Sequence, residues 1–187
     1  FEPLLADLNA RASWVFVHPT AVPEDSKPAS RVPDFIAEYP FDTTRTIISL
    51  LINGSFERFP AIRWHVAHGG GTVPMLRARL NALAAAAREL GPAFGAPEGA
   101  QLLTADSARQ ALRRAFFDTA LVADEPALRA MQATASTEHL MFGSDWPFAA
   151  RLYAALEDDP QPALRQTLSA EAVAAVERTN AERELSG

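Results

Sequence analysis

Four side chains in this sequence can carry acid–base or metal chemistry and stand where an apolar run gives way to a turn. They are His18 in VFVHP, His68 in HVAHGGG, Asp118 in AFFDTAL and Asp145 in LMFGSDWPF. Two imidazoles and a carboxylate are what a catalytic Zn²⁺ or similar divalent site uses, provided a position stays open for water or substrate. Water on such an ion has its pKa lowered to about 7. An imidazole off the metal, with an ordinary pKa of about 6.5, can shuttle a proton. The four residues are dispersed and no compact H-E-x-x-H motif occurs. Only a fold that gathers distant strand ends makes one site of them.

The remaining candidates divide by position. Asp118 either caps the turn that follows it or lines the pocket. His65 has the parity opposite to His68 along IRWHVAH, which predicts that it faces the helix layer. His139 precedes its strand and is expected at the surface of the opposite edge. The glycines at 69 to 71 lack the GxGxxG or GxxxxGK spacing of a phosphate loop. They are expected to make a close backbone turn beside the site, with the N–H groups of the next helix open to an anionic substrate.

The elements that must position these groups read as alternating strands and helices. Trp14 to Val17 is a short β-prone run that Pro19 ends. AVPEDSKPASRVP reads as an exposed loop, and a helix is predicted from Asp42 to Phe59, capped by Asp42 or Thr43 and interrupted at Gly54. A second strand is predicted over residues 62–71, then a helix over VPMLRARLNALAAAAREL closed by Gly91-Pro92. Its Ala/Leu face from Arg77 to Leu90 suits packing on the sheet or a dimer contact. Residues 91–103 read as a Gly/Pro-rich connection. A polar helix from Ala105 to Arg113 leads to a third strand ending near Asp118. A helix from Glu125 to Ala135 and a fourth strand in HLMFGSD follow, and helices Ala149 to Leu156 and Ala170 to Glu184 close the chain. Strand–helix alternation repeated four times predicts an α/β fold with parallel strands, whose ligands gather at the strands' C-terminal ends.

The 187 residues suffice for one domain with a sizeable core. The net charge of −6 and a single lysine, Lys27, argue against a nucleic-acid binder, which needs clustered cations. The absence of cysteine excludes disulfides and thiolate metal sites and fits a cytoplasmic protein. No apolar run approaches the roughly 20 residues of a membrane helix. The first residue is Phe, and FEPLLADLNARASWVFVHP reads as the tail of a helix entering a buried strand. The chain is therefore expected to be the C-terminal part of something longer.

FVHP, DTTRTIISLLINGSFERFP, AHGGGTVP, FFDTAL and LMFGSDWPF, in that order, resemble the amidohydrolase-related metal-dependent decarboxylases. That group includes the aminocarboxymuconate-semialdehyde and 6-methylsalicylate decarboxylase types. The resemblance implies the C-terminal half of a (β/α)8 TIM barrel, with one partial barrel domain over residues 1–187. It implies His18 and Asp145 as metal ligands, and His68 with Asp145 as the catalytic pair that moves the proton. Arg45, Asp118 and Trp146 are expected to bind substrate. The implied reaction is non-oxidative decarboxylation of a small aromatic or unsaturated carboxylic acid on a divalent metal, Zn²⁺ first and Mn²⁺ second, in a homodimer. A hydrolase or hydratase on the same site, or a non-catalytic partial barrel, are the alternatives. The family's first-strand H-x-H pair is missing, so the first half of the barrel is expected to be absent.

Overall fold

The computed structural model describes residues 1–21, 23, 25, 32–149 except 91–102, and 159–186, with no side chains for 85–90. Four strands form one sheet in the order β1-β2-β3-β4, every pair parallel. They are β1 (Trp14–Val17), β2 (Arg63–Val66), β3 (Phe116–Asp118) and β4 (Leu140–Met141). Helices α1 (Glu2–Ala10), α2 (Glu38–Ile52), α3 (Ser55–Arg58), α4 (Val73–Leu90), α5 (Ala105–Arg114) and α6 (Glu125–Thr134) alternate with them. Helix α7 (Pro162–Thr167), then α8 (Ala170–Ala174) and α9 (Asn180–Leu185) joined by a π turn, end the chain.

One face of the sheet carries the core. Val66, Phe117 and Leu140 are at most 1% exposed and pack with Ile47, Leu128 and Leu164 from the helices. Each such burial contributes about 1.5–3 kcal/mol. The other face presents Trp14, Phe16, Arg63, His65 and Phe116, since Phe16 pairs in register with His65 and His65 with Phe116. Its aromatic rings touch one another: Trp14 lies 4.6 Å from Phe116 and Phe16 lies 4.8 Å from His65, between centroids. Phe16 remains half exposed.

Several expectations are corrected. Helix α2 begins at Glu38, four residues before Asp42, because Pro40 in the first turn has no N–H to leave unpaired. Asp42 instead accepts the Thr20 N–H at 3.2 Å. The second strand stops at Val66, and His68 lies past it in a left-handed turn, so strand parity does not reach it. Trp64 and Val66 take the helix side and His65 the opposite face, against the parity reading. His139 is half-buried against Phe116, with ring centroids 4.7 Å apart, rather than a free surface group. Helix α7 was not anticipated. The predicted helix Ala149 to Leu156 and most of the 91–103 connection lie outside the described residues.

The three glycines answer a packing demand. A Cβ on Gly71 would stand 2.2 Å from the Pro40 carbonyl oxygen, and one on Gly70 would stand 2.7 Å from the Phe117 ring. Both have φ between 62° and 74°, where a side chain is strained. Thr44 completes the clasp by donating to Pro40 O at 2.6 Å and accepting the Thr72 N–H at 2.8 Å.

Candidate metal centre

His18 follows β1, His68 follows β2 and Asp145 follows β4, so the parallel topology delivers all three to one edge of the sheet. One ligand atom from each lies within 4.8 Å of the others. His18 Nε2 is 3.9 Å from Asp145 Oδ1, and the His18 and His68 rings are 5.3 Å apart. His68 and Asp145 both have positive φ, 53° and 52°. Such strain in residues other than glycine gathers where a side chain must be aimed.

The donor set fits a divalent cation. His18 Nδ1 donates to Pro19 O at 2.8 Å, and His68 Nδ1 donates to Ala120 O at 3.1 Å. With Nδ1 carrying the proton in each ring, both Nε2 lone pairs are left for a metal or a substrate proton, an arrangement metal-binding histidines commonly share. Two imidazole nitrogens and a carboxylate oxygen match the chemistry of Zn²⁺ and Mn²⁺ sites.

Asp118 does two things at once. Its Oδ1 accepts the backbone N–H of Ala120 at 3.0 Å and of His68 at 2.9 Å, and the residue is 4% exposed. It thus caps the turn after β3 and holds the His68 turn, and it also lines a cavity of about 300 Å³ with His18, His65, His68 and Asp145. Trp146 and Phe148 stand exposed at the rim of that cavity. A wider space of about 830 Å³ adjoins it, sharing His18, Asp145 and Phe148 and adding Phe35 and Tyr39. Both are within the size range of small-molecule sites. Arg45 is exposed on α2 and lines neither cavity.

The Asp145 turn is braced from behind. Thr119 Oγ1 donates to Gln161 Oε1 at 2.7 Å, and Gln161 Nε2 donates to Gly143 O at 2.6 Å. The Gly143 N–H returns to Thr119 Oγ1 at 3.2 Å. His65, Tyr39 and Gln161 are the site neighbours that sequence reasoning missed. Only His65 left a signal, because Trp64 and Val66 are the strand's larger apolar pair and claim the core face.

The sequence is 36% identical over 153 residues to 6-methylsalicylic acid decarboxylase acuB of Aspergillus aculeatus, covering 81% of this chain and 44% of that protein. The fold matches the crystal structure of 5-carboxyvanillate decarboxylase LigW from Sphingomonas paucimobilis with a TM-score of 0.77 at 24% identity, over 98% of this chain and 52% of that one. The 5-carboxyvanillate decarboxylase of Novosphingobium aromaticivorans, solved with manganese and 4-hydroxy-3-methoxy-5-nitrobenzoic acid, gives a TM-score of 0.77 at 20% identity. It covers 100% of this chain and 51% of that one. The chain thus spans about half the length of these proteins, and its strand–helix units are half of a (β/α)8 barrel. With the family described as Amidohydrolase matching residues 2–185, the chain belongs to that family.

Proposed function

We propose that this chain supplies the C-terminal half of the active site of a metal-dependent, non-oxidative decarboxylase acting on a small aromatic or unsaturated carboxylic acid. The observation that carries the reading is the convergence of His18, His68 and Asp145 at the strands' C-terminal edge, within 4.8 Å of one another. The decarboxylase relatives and the manganese-bound fold neighbour support it.

His18 Nε2 and an Asp145 oxygen would hold the ion, which is Zn²⁺ or Mn²⁺, and the family resemblance adds an H-x-H pair from the other half-barrel. When bound, the ion supplies a Lewis acid that neutralises charge on substrate oxygen. Asp145, beside His68, holds a proton and delivers it to the carbon that bears the carboxylate. The new C–H bond forms from the π electrons of the ring or olefin. The C–C bond then breaks, its electron pair restores the π system, and CO2 leaves. The aromatic rim of Trp146 and Phe148 suits a planar acid. By resemblance to the family, the assembled protein is a homodimer, and a chain without cysteine fits a cytoplasmic setting.

Product analysis tests this reading. Hydroxybenzoic acids and an unsaturated acid, each incubated with the metal-loaded full-length protein, should release CO2 and the matching arene or alkene. Ring opening or hydration of the same compounds without CO2 would move the assignment to a hydrolase or hydratase.

A further inference from the structure

His65 lies beneath the site and the reaction above does not use it. Its Nδ1 accepts the indole N–H of Trp14 at 3.3 Å. Indole nitrogen only donates, so the imidazole must be the neutral tautomer with its proton on Nε2. That Nε2 is buried and, among the described residues, has no hydrogen-bond partner. It points at Asp118 Oδ2 across 3.6 Å. The other oxygen of the same carboxylate holds the N–H groups of His68 and Ala120, and Ala120 O receives the His68 ring proton. Packing fixes the His65 ring: Trp14 meets it edge-on at 89°, and Phe16 lies 4.8 Å away.

We propose that His65 is a positioning residue for His68, acting through Asp118: Trp14 fixes the tautomer, His65 Nε2–H anchors Oδ2, and the anchored carboxylate holds the left-handed turn that aims the His68 ring. A shift of about 0.6 Å brings the 3.6 Å approach into hydrogen-bond range. The inference has a physical motive. A carboxylate at 4% exposure needs donors on both oxygens, and a buried imidazole N–H without an acceptor is costly. The geometry lets each meet the other's need. The hydrogen-bond, ion-pair and ring partners of His65 are Trp14, Asp118 and Phe16 rather than His18 or Asp145, so its effect on chemistry passes through the orientation of His68.

The inference rests on the catalytic role assigned to His68, and two readouts separate it from that role. In the metal-free protein, the His68 backbone amide resonance reports the hydrogen bond to Asp118 directly. His65→Phe, which keeps an aromatic ring against Trp14 and Phe16, should shift that resonance. His65→Gln, which restores an N–H donor of similar reach, should return it towards the native position. In the metal-loaded full-length protein, His65→Phe should lower kcat about 10- to 100-fold with KM within about threefold, as loss of an outer partner typically does. His65→Gln should recover most of the loss.

Should His65→Phe fail to fold, Trp14→Phe leaves His65 in place and frees its tautomer. The imidazole ¹⁵N shifts of His65 should then show a mixture of tautomers while the His68 amide moves. An unmoved His68 amide in the folded variants, with native kcat, would overturn the proposal. If the wild-type protein releases no CO2 but the amide moves as expected, the decarboxylase reading fails while the positioning role stands.

Discussion

His68 and Asp145, 77 positions apart in the sequence, both sit in the left-handed region, at φ 53° and 52°, and put their side chains on one metal-sized triad with His18. Neither is glycine, so the fold sustains backbone strain at the two residues to which proton transfer is assigned.

That relationship predicts opposite effects on stability and turnover at Asp145. Asp145→Gly should leave thermal stability unchanged or raise it by up to about 1 kcal/mol, because glycine adopts positive φ freely. The same change should lower decarboxylation by about 10²- to 10⁴-fold. Asp145→Asn should lose activity similarly with native stability. Denaturation curves beside turnover assays check both, and an Asp145→Gly protein destabilised by more than 2 kcal/mol, on the order of the strain cost itself, would contradict the strain reading.

The turn after β2 should tolerate no side chain. Gly71→Ala puts a Cβ 2.2 Å from Pro40 O at φ +62°, and α2 cannot recede without losing the Thr44 clasp. A loss of at least about 2 kcal/mol is expected. Urea denaturation measures it, and a loss under about 0.5 kcal/mol would show that α2 yields more easily than this packing implies.

Gln161 should matter to the site although it touches neither imidazole. Gln161→Leu keeps volume at a position 2% exposed but removes the two side-chain bonds by which Gln161 bridges Thr119 Oγ1 and Gly143 O. Leaving those buried groups unpaired should cost about 1–3 kcal/mol. It should also reduce turnover as the Asp145 turn loosens. Gln161→Glu, which keeps the acceptor alone, should fall between. Native kinetics in a destabilised Gln161→Leu protein would separate the brace from the chemistry.

The N-terminal edge should respond to pH. Burial holds the His139 pKa below its ordinary value, and Arg183 adds to the effect, against the weaker pull of Glu184 and Glu138. The unfolded chain therefore binds this proton more readily than the folded one, so stability rises with pH through the window just below about 6.5. The contribution is complete above that value and is lost as pH falls through the folded pKa. Comparing urea midpoints at pH 5 and 7.5, His139→Gln should show a shallower pH dependence than the native protein. Equal slopes would count against burial as the cause.

The sequence revealed alternation more clearly than detail. Strand–helix order and the placement of His18, His68 and Asp145 beyond strand ends were legible because apolar runs, prolines and glycines mark those boundaries locally. The face taken by His65 was not, since parity was carried through Ala67 into a turn that had already left the strand. The start of α2 was missed because Pro40 reads as a breaker, though it is harmless in a first turn. The partnership of Thr119, Gln161 and Gly143 spans 42 positions and has no local signature at all.

The most direct test of the account follows the proton. The metal-loaded full-length protein is turned over with a hydroxybenzoic acid in D2O, and CO2 and the deuterium content of the arene are measured together. One deuterium at the carbon that carried the carboxylate, one CO2 per arene, and loss of both on chelation of the metal or in Asp145→Asn are the predicted results. CO2 release that persists at the native rate in Asp145→Asn with its metal bound would contradict the central claim.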